Sequence, residues 1–399
     1  RISRPMNLPS LRAVGLALGL TMVAGDALAV PAFARRYEVA CSACHQIFPK
    51  LNRIGERFKE RGFRFENEKS FDRSAWLKSA PISGRLQGTR YIPEDRDPSN
   101  AGYLKVLSAG NVGPRFSYWI DDAWRRSGGS TQHVEPDNAW VRLDLKPAGK
   151  LYARAGRFEL DVPFTQARTP HLLPYSVYGI NTGLESDAIG FHQQGLEIGG
   201  ELGRTHLSAA LVQGRNFQPN VDLAKASGVG DPGRFDANLF LRASRQISQS
   251  RVGAFAYIGR NDIVARLNAT QVGVARDGIL RFGVDGNTWI WKINVYGVAV
   301  YGRNSNSVLS LAAPAGTRDA LGFASGFLAA DYHLRKDMAV TAQLQASTVD
   351  QPGTLPRYTL SSFLPGVQMV IWKVKISGQM SLTTNNVGRF GALQIETAF

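Results

Sequence analysis

Long apolar runs are the first feature that this sequence lacks. Beyond the N-terminus, no stretch reaches the ~18 consecutive apolar residues that a membrane-spanning helix needs, so transmembrane helices are excluded from the rest of the chain. The mean hydropathy of −0.17 is too low for a bundle of membrane helices. It is compatible with a membrane barrel, because each spanning strand places half of its residues against a polar lumen.

Acidic residues are also scarce, with 32 Asp and Glu against 47 Lys and Arg and a formal net charge of +15. Such a surplus can indicate nucleic-acid binding, but the sequence contains no helix-turn-helix, zinc-finger or RNA-binding signature. Because the chain also carries an export signal, we expect no nucleic-acid partner. We interpret the surplus as an arginine-rich barrel lumen and a rim that faces the anionic head groups of outer-membrane lipid.

The export signal occupies residues 1–29. A short basic region at 6–12 precedes an apolar stretch at 13–24 that is too short to span a membrane, and Ala27-Leu28-Ala29 forms a small-residue cleavage box. This order is typical of a secretory signal peptide. The sequence therefore predicts a protein exported to the bacterial outer membrane, with a mature chain that begins at Val30.

The two cysteines, Cys41 and Cys44, are followed at once by His45. Cys-x-x-Cys-His is the attachment pattern of c-type haem, in which two thiols on one helical turn bind the haem vinyl groups and the histidine is the proximal iron ligand. Three alternatives fit less well. A zinc site lacks a second pair of ligands nearby, a thioredoxin-like pair lacks its βαβ setting, and a plain disulfide leaves His45 unexplained. We predict one covalent haem c.

The residues after this motif predict an amphipathic helix. Pro49 suits a first helical position and Gly62 suits a C-terminal cap. Gly55 leaves room for the backbone to pass close to a porphyrin. We assign residues 30–80 to a small α-helical monohaem cytochrome segment. Three apolar residues share one face of the helix: Leu51, Ile54 and Phe58.

The cytochrome segment contains no sixth haem ligand of its own, because neither histidine nor methionine occurs between Gln46 and Gln132. Either the iron keeps an open position, or the α-amino group of Val30 or a side chain of the barrel supplies the ligand. Neutral imidazole is a common haem ligand, and we favour His171 because it lies in the longest connection between predicted strands. The alternatives are His206 and His133, whereas His192 has the parity of lipid-facing residues. The remaining candidates are His333, Met338, Met369 and Met380.

Residues 81–399 predict an all-β, porin-like transmembrane barrel of about sixteen antiparallel strands, an even number as single-chain barrels require. Segments of alternating polarity are separated by Gly, Asn, Asp and Pro clusters, which is the pattern of barrel strands and their turns. Clear strands are 139–145, 205–211, 289–301 and the final 393–399 with its terminal aromatic residue. Short connectors at 146–150, 203–204 and 335–337 predict periplasmic turns. Longer ones predict external loops: 92–101, 125–136, 160–190, 215–235, 303–320 and 349–356.

The N-terminal motifs resemble one known family. The residues that carry the resemblance are Phe33-Ala34-Arg35-Arg36-Tyr37, then Cys41–His45, then Phe48-Pro49-x-Leu51-Asn52-x-x-Gly55-x-x-Phe58. Followed by a barrel, they resemble the fused monohaem cytochrome–porins, whose best-known members are outer-membrane iron oxidases of iron-oxidising bacteria. The resemblance implies a haem-bearing plug in a sixteen-stranded barrel, with Cys41 and Cys44 as thioether attachments and His45 as proximal ligand.

The same resemblance implies an oxidoreductase that takes electrons from extracellular Fe(II) or an iron chelate and passes them to a periplasmic soluble cytochrome. Two other functions stay open: an electron conduit for another donor or acceptor, and a diffusion porin with a redox-regulated plug. The basic surplus argues against free Fe²⁺ entering the lumen and favours anionic chelates or contact at the mouth. Carboxylates suit hard cations, and the candidate loop carboxylates are Glu94, Asp95, Asp97, Glu185 and Asp187.

Overall fold

The computed structural model describes residues 31–65, 81–94, 97–127, 130–134, 138–165, 168–172, 177–181, 185–190, 192–214, 217–219, 237–267, 270–305, 320–350, 358–372, 374–383 and 390–399. The predicted export signal, Val30 and Asp95 lie outside these residues. Among the helices within these ranges, none is long and apolar enough to cross a bilayer.

The N-terminal segment, residues 31–65, is only partly helical. It contains helix α1 (Pro31–Tyr37), a 3₁₀ turn (Cys41–Ala43), the paired strands β1 (His45–Ile47) and β2 (Lys50–Leu51), and helix α2 (Arg53–Glu60). The all-helical prediction is therefore wrong for the residues around His45, which form a short antiparallel ladder. A single turn of 3₁₀ helix carries the first cysteine of the motif.

Helix α2 begins later than the sequence predicts. Pro49 lies in the turn between β1 and β2, and α2 starts after Asn52, whose side-chain oxygen accepts hydrogen bonds from the backbone N–H groups of Ile54 and Gly55. This is the usual N-cap arrangement. The predicted C-terminal cap is confirmed, because Gly62 follows the helix with a φ of +64°. The predicted shared face is wrong for Ile54, which is 51% exposed while Phe58 is buried.

The remaining strands make a long antiparallel meander. In chain order they are β3 (Ile82–Pro93), β4 (Ser99–Val112), β5 (Phe116–Ser127), β6 (Ser130–Val134), β7 (Ala139–Lys146), β8 (Leu151–Glu159), β9 (Gly179–Asn181), β10 (Glu185–Ala188), β11 (His192–Leu202), β12 (Thr205–Val212), β13 (Phe217–Pro219), β14 (Asn238–Ile247), β15 (Ser250–Leu267), β16 (Thr270–Ile290), β17 (Ile293–Asn304), β18 (Leu321–Arg335), β19 (Met338–Asp350), β20 (Tyr358–Ile371), β21 (Val374–Thr383) and β22 (Phe390–Ala398).

The meander closes on itself as a barrel. Strands β6 and β7 pair with consecutive parts of β5 and together occupy one strand position, so the closed ring has 16 strands. Closure is made by β22 on β3 and by β8 on β11, while β9, β10 and β13 form a separate small sheet. The predicted antiparallel barrel of about sixteen strands is confirmed. Pairing around the ring satisfies backbone polar groups between neighbouring strands, as a membrane setting requires.

Connections at the two ends of the barrel differ in length. At one end, the short-turn end, strands are joined by the two to four residues at 113–115, 147–150, 203–204, 248–249, 291–292, 336–337 and 372–373. The three connectors predicted as periplasmic turns all lie there. One predicted strand, 289–301, is wrong as a single element, because a turn at Trp291-Lys292 divides it between β16 and β17. Its two Trp residues therefore do not share one strand.

Side chains alternate between the lumen and the outside as the sequence predicts. In β17 the residues Asn294, Tyr296 and Val298 are buried on the inner side, while Tyr301 is 51% exposed on the outer side. The same alternation is present in β7 and β12, where Val141, Leu207 and Leu211 point outward. Trp291 and Trp372 are strongly exposed in two short turns, a position typical of an interfacial aromatic belt.

The N-terminal segment lies inside the barrel, at its short-turn end. Lys50 binds Asn294 and Asp331, and Arg64 binds Asp144 and the carbonyl groups of Gly113 and Phe116. All five partners lie in or within a few residues of short turns. Further contacts to the same end are Arg35 to Ile82, Gln368 to Phe48, Arg61 to Glu201 and Arg251 to Glu60.

Candidate functional site

A cavity of about 800 Å³ separates the N-terminal segment from one wall of the barrel. Cys41, Cys44 and His45 line it from the segment side. On the barrel side it follows the inward residues of β3 from Ser83 to Tyr91. Those eight steps along the strand correspond to about 27 Å. The cavity therefore extends from the short-turn end, where the motif lies, toward the end with long loops.

Both cysteines are free thiols and are partly exposed to this cavity. The 3₁₀ turn is closed by a hydrogen bond from the Cys44 N–H to the Cys41 carbonyl. Burial, followed by the charge of Cys41, raises the pKa of the Cys44 thiol. The turn holds two nucleophilic sulfurs three residues apart on one surface, which is the arrangement that thioether attachment of a haem requires.

The imidazole of His45 is held in one tautomer. Its Nδ1 lies 3.0 Å from the Pro49 carbonyl oxygen, and because a carbonyl only accepts, Nδ1 carries the proton. Nε2 then keeps its lone pair. Burial lowers the pKa of His45 to about 4, so the ring is neutral near pH 7. A backbone carbonyl that orients the far nitrogen is the usual second contact of a metal-binding histidine.

Asn52 ties the motif to helix α2. Besides capping the helix, its side-chain amide donates to the carbonyl oxygens of Ser42 and Ala43, and its backbone N–H donates to the Cys44 carbonyl. This role of Asn52 is not among those predicted from the sequence. Its position one residue before a helix, where Asn is strongly preferred, was the signal that could have identified it.

Gly55 allows the close approach of α2 to the motif. A Cβ atom at this position would lie 2.2 Å from the Cys44 carbonyl oxygen and 2.9 Å from a methyl of Leu51. Gly55 also lines the cavity. The predicted need for glycine therefore has a definite cause within the protein, which is contact between the helix and the cysteine turn.

An aromatic cluster forms the apolar wall of the cavity. Phe33 packs edge-on against Phe58 with ring centroids 5.2 Å apart, and Tyr37 does the same at 5.5 Å. Phe63 stacks on the barrel residue Trp140 at 5.8 Å. These rings line the cavity beside the cysteines, and such a surface suits a flat apolar macrocycle. A largely apolar pocket with a few placed polar groups is the common form of a cofactor site.

His171, the favoured sixth ligand, does fold into the barrel, where it is 2% exposed and lines the cavity. Both of its ring nitrogens, however, are hydrogen-bonded. Nε2 lies 2.9 Å from the Tyr296 hydroxyl, and Nδ1 lies 2.8 Å from the Gln379 side-chain amide. Burial lowers its pKa to about 4. The geometry argues against His171 as an iron ligand, since ligation would require it to give up one of these bonds.

The hydrogen bonds of His171 continue toward the N-terminal segment. The Tyr296 hydroxyl donates to Asp331 at 3.2 Å, and Asp331 accepts from Lys50, also at 3.2 Å. Lys50 follows Pro49, the residue whose carbonyl orients His45. The inward loop at 160–172 is thus connected through buried side chains of β17 and β18 to the residues beside the motif.

The other histidines take different positions. His206 is buried, lines the cavity and stacks on Tyr152, as its lumenal parity predicts, and its Nδ1 has no hydrogen-bond partner among the described residues. His133 is 55% exposed and pairs with Asp122 away from the cavity. The lipid-facing prediction for His192 is wrong, because its Nε2 contacts Asn138 on the cavity side. The other candidates, which do not line the cavity, are His333, Met338, Met369 and Met380.

Of the five loop carboxylates predicted to attract Fe(II), two have side chains within the described residues. Glu94 and Asp97 are both exposed. Asp95 and the side chains of Glu185 and Asp187 lie outside the described residues. Within the described part of the chain, no group of three or more His, Cys, Asp or Glu residues is arranged to hold a metal ion.

Charged residues that line the cavity join α2 to the inward loop. Arg168 binds Glu159 at 3.0 Å and Asp161 at 3.3 Å, and Lys59 of α2 approaches Asp161 at 4.0 Å. Although burial alone would raise it, the charges of Lys59 and Arg168 hold the pKa of Asp161 well below its usual range. These ion pairs hold the inward loop against helix α2, the helix that Asn52 caps.

Solved outer-membrane barrels share this fold, whereas no protein-family model and no curated protein matches the sequence. The OmpT loop L8 deletion mutant of Vibrio cholerae aligns with a TM-score of 0.53 at 11% identity, over 80% of this chain and 98% of that chain. OmpF of Salmonella typhi, in complex with daunomycin, gives 0.53 at 12% identity over 80% and 97%. OprB of Pseudomonas putida gives 0.53 at 9% over 80% and 93%. At these identities the likeness concerns the fold alone, and the chain is a closed barrel with the fold of outer-membrane porins.

Proposed function

We propose that this chain is an outer-membrane cytochrome–porin that oxidises an extracellular iron donor and delivers the electrons to a periplasmic carrier. One observation carries the proposal. Two free thiols and an oriented imidazole, Cys41, Cys44 and His45, line one cavity inside the barrel. Each Fe(II) that becomes Fe(III) releases one electron, and each electron reduces one carrier.

The residues present fit a covalent haem c. Cys41 and Cys44 would hold it through thioether bonds, and His45 would bind its iron through Nε2, because Nδ1 is committed to Pro49. When bound, the haem supplies one-electron redox chemistry. The protein's own contribution is to orient the histidine, to supply an aromatic wall and to keep bulk solvent from the site.

The position of the motif limits how a donor can reach it. The contacts of the N-terminal segment place Cys41, Cys44 and His45 at the short-turn end, which is the periplasmic end of bacterial barrels. The donor therefore approaches through the lumen, along the cavity beside β3, rather than by contact at the outer mouth alone. This route favours a small iron species, because the haem would occupy part of the same cavity of about 800 Å³.

The test begins with the covalent group. The chain is expressed with a c-type cytochrome maturation system, and the mass of the peptide that contains residues 41–45 is measured. We expect one added haem, and its loss in a C41S/C44S double variant. An unmodified peptide from a well-expressed barrel would refute the proposed electron transfer and leave only a blocked pore.

The second stage tests the donor. Haem reduction is followed by absorbance after Fe(II) is added to purified protein, with H45A as the control variant. We expect rapid reduction in the wild-type protein and none in H45A, whose barrel still inserts. Reduction only by other donors would favour the alternative conduit. A large conductance in planar bilayers that depends on redox state, without electron transfer, would favour the diffusion porin.

A further inference from the structure

The turns at the short-turn end carry an unbalanced positive charge. Among the described residues, exposed cations occur in or directly beside five of the seven short turns, and those five turns contain a single exposed carboxylate, Asp337. No carboxylate of the described residues pairs with any of the cations. We name these seven residues the basic rim: Arg115, Lys146, Lys150, Arg204, Lys292, Arg335 and Lys336.

The basic rim surrounds the end of the lumen that contains the cysteine motif. Arg64 of the N-terminal segment binds the carbonyl groups of Gly113 and Phe116, which flank Arg115. Gly149, next to Lys150, lies against the carbonyl of Glu60 at the end of α2. The segment therefore reaches the rim itself, and a molecule docked on the rim would lie at the side of the barrel nearest to the motif.

We propose that the basic rim is the docking surface for an electron-accepting protein with an acidic face. This inference rests on the proposed function, because it assigns the place where electrons leave. Unpaired charges at a rim steer association, raise its rate and, at low ionic strength, also tighten the complex. A ring of seven cations with one carboxylate offers such steering to an acidic partner and repels a basic one.

The first measurement is electron transfer between reduced, haem-loaded protein and two oxidised soluble cytochromes c, one with net negative and one with net positive charge. One electron passes from the protein to each probe molecule. The protein is held in nanodiscs of zwitterionic phosphatidylcholine. We expect the acidic probe to react faster at low ionic strength, and its rate to fall as salt screens the rim.

Two matched variants locate the effect. The rim variant K150Q/R204Q/K336Q removes three exposed cations from the short-turn end, and the control R90Q/R126Q/R303Q removes three exposed cations from strand positions toward the other end. We expect the rim variant to react with the acidic probe about tenfold more slowly at low salt and to lose most of its salt dependence. The control variant should match the wild type. Equal slowing in both variants, or no preference for the acidic probe, would overturn the proposal.

A binding measurement separates this proposal from the function on which it rests. Association of the acidic probe is measured with C41S/C44S protein, which has no thiols to hold a haem. We expect binding that the rim variant weakens, even if the wild-type protein should prove to carry no haem. Equal binding by rim variant and wild type, together with a rim-dependent preference for phosphatidylglycerol vesicles, would show that the cations bind lipid and would also overturn the proposal.

Discussion

The buried pair Lys50–Asp331 offers a direct test of how the N-terminal segment is held. Lys50 Nζ lies 3.2 Å from Asp331 Oδ2, and the two side chains are 4% and 0% exposed. Lys50 also donates to Asn294 and lies over the ring of Tyr296. The perturbations are K50M, D331N and the double variant K50M/D331L.

Removal of one partner leaves a buried charge without compensation, which costs about 3–5 kcal/mol. At 1.4 kcal/mol for each factor of ten, this corresponds to roughly 10²-fold to 4 × 10³-fold in the equilibrium for docking of the segment. We expect the loss of docking free energy in K50M to be about 3 kcal/mol, because Asp331 keeps the hydrogen bond from Tyr296. The double variant removes both charges, so most of the loss should be recovered.

Hydrogen exchange across α2 measures the docking equilibrium, since local opening exposes its amide groups. We expect the protection of residues 53–60 to fall by the factors above in each single variant and to recover in the double variant. The exposed residue Lys292 provides a control, because K292M should leave protection unchanged. If the double variant loses as much docking free energy as the two single variants together, the two charges are not coupled and the reasoning is refuted.

Three further predictions concern the motif and the inward loop. G55A places a Cβ against the Cys44 carbonyl. It should lower the free energy of unfolding by about 1–3 kcal/mol through overpacking and lower the covalent haem yield on haem-stained gels. G88A, where a Cβ meets nothing, should change neither quantity. N52A removes the cap of α2 and should lower the free energy of unfolding of the helix by about 1 kcal/mol and lower the haem yield. N52D keeps the cap and should restore the helix but not the haem yield, because a carboxylate cannot donate to the Ser42 and Ala43 carbonyl groups. Burial lowers the pKa of His171 to about 4 in the folded protein, whereas the imidazole of the unfolded chain takes up a proton from about pH 6.5 downward. The contribution of His171 to the stability of the loop is therefore complete above about pH 6.5 and is lost between about pH 6.5 and pH 4. Hydrogen exchange of residues 160–172 at pH 7 and 4 should show this loss, and H171Q should remove the pH dependence.

The barrel could be predicted from the sequence because its signal is repeated in every strand. Alternation in segments such as 139–145 and 205–211 reports directly which side chains face outward, since the period of a strand is two residues. The error at 289–301 has a physical cause. Trp291 and Lys292 continue the apparent alternation through a two-residue turn, and Trp291 adopts a φ of +55° there, which the pattern of polarity cannot reveal.

Only the part of the site that depends on neighbouring residues in the chain could be predicted from the sequence. The spacing of Cys41, Cys44 and His45 is a property of five consecutive residues, so the sequence sufficed to propose their role. The contacts of His171 depend on Tyr296 and Gln379, which are 125 and 208 residues away. No local pattern indicates that both nitrogens of that ring are occupied. The choice of His171 as sixth ligand therefore could not take these two hydrogen bonds into account.

Under the proposed function, the arrangement of the segment would give the two ends of the barrel different tasks. The motif lies at the short-turn end, and the inward loop is joined to α2 by Arg168, Lys59 and Asp161, so an acceptor on that side would need only to touch the rim. A donor would instead travel beside β3, past Arg85 and Tyr91. Selection among donors would then depend on the width and charge of the lumen, and selection among acceptors on surface charge. Variants of the cavity wall should change which donors react and leave the acceptor preference unchanged, while variants of the basic rim should do the reverse.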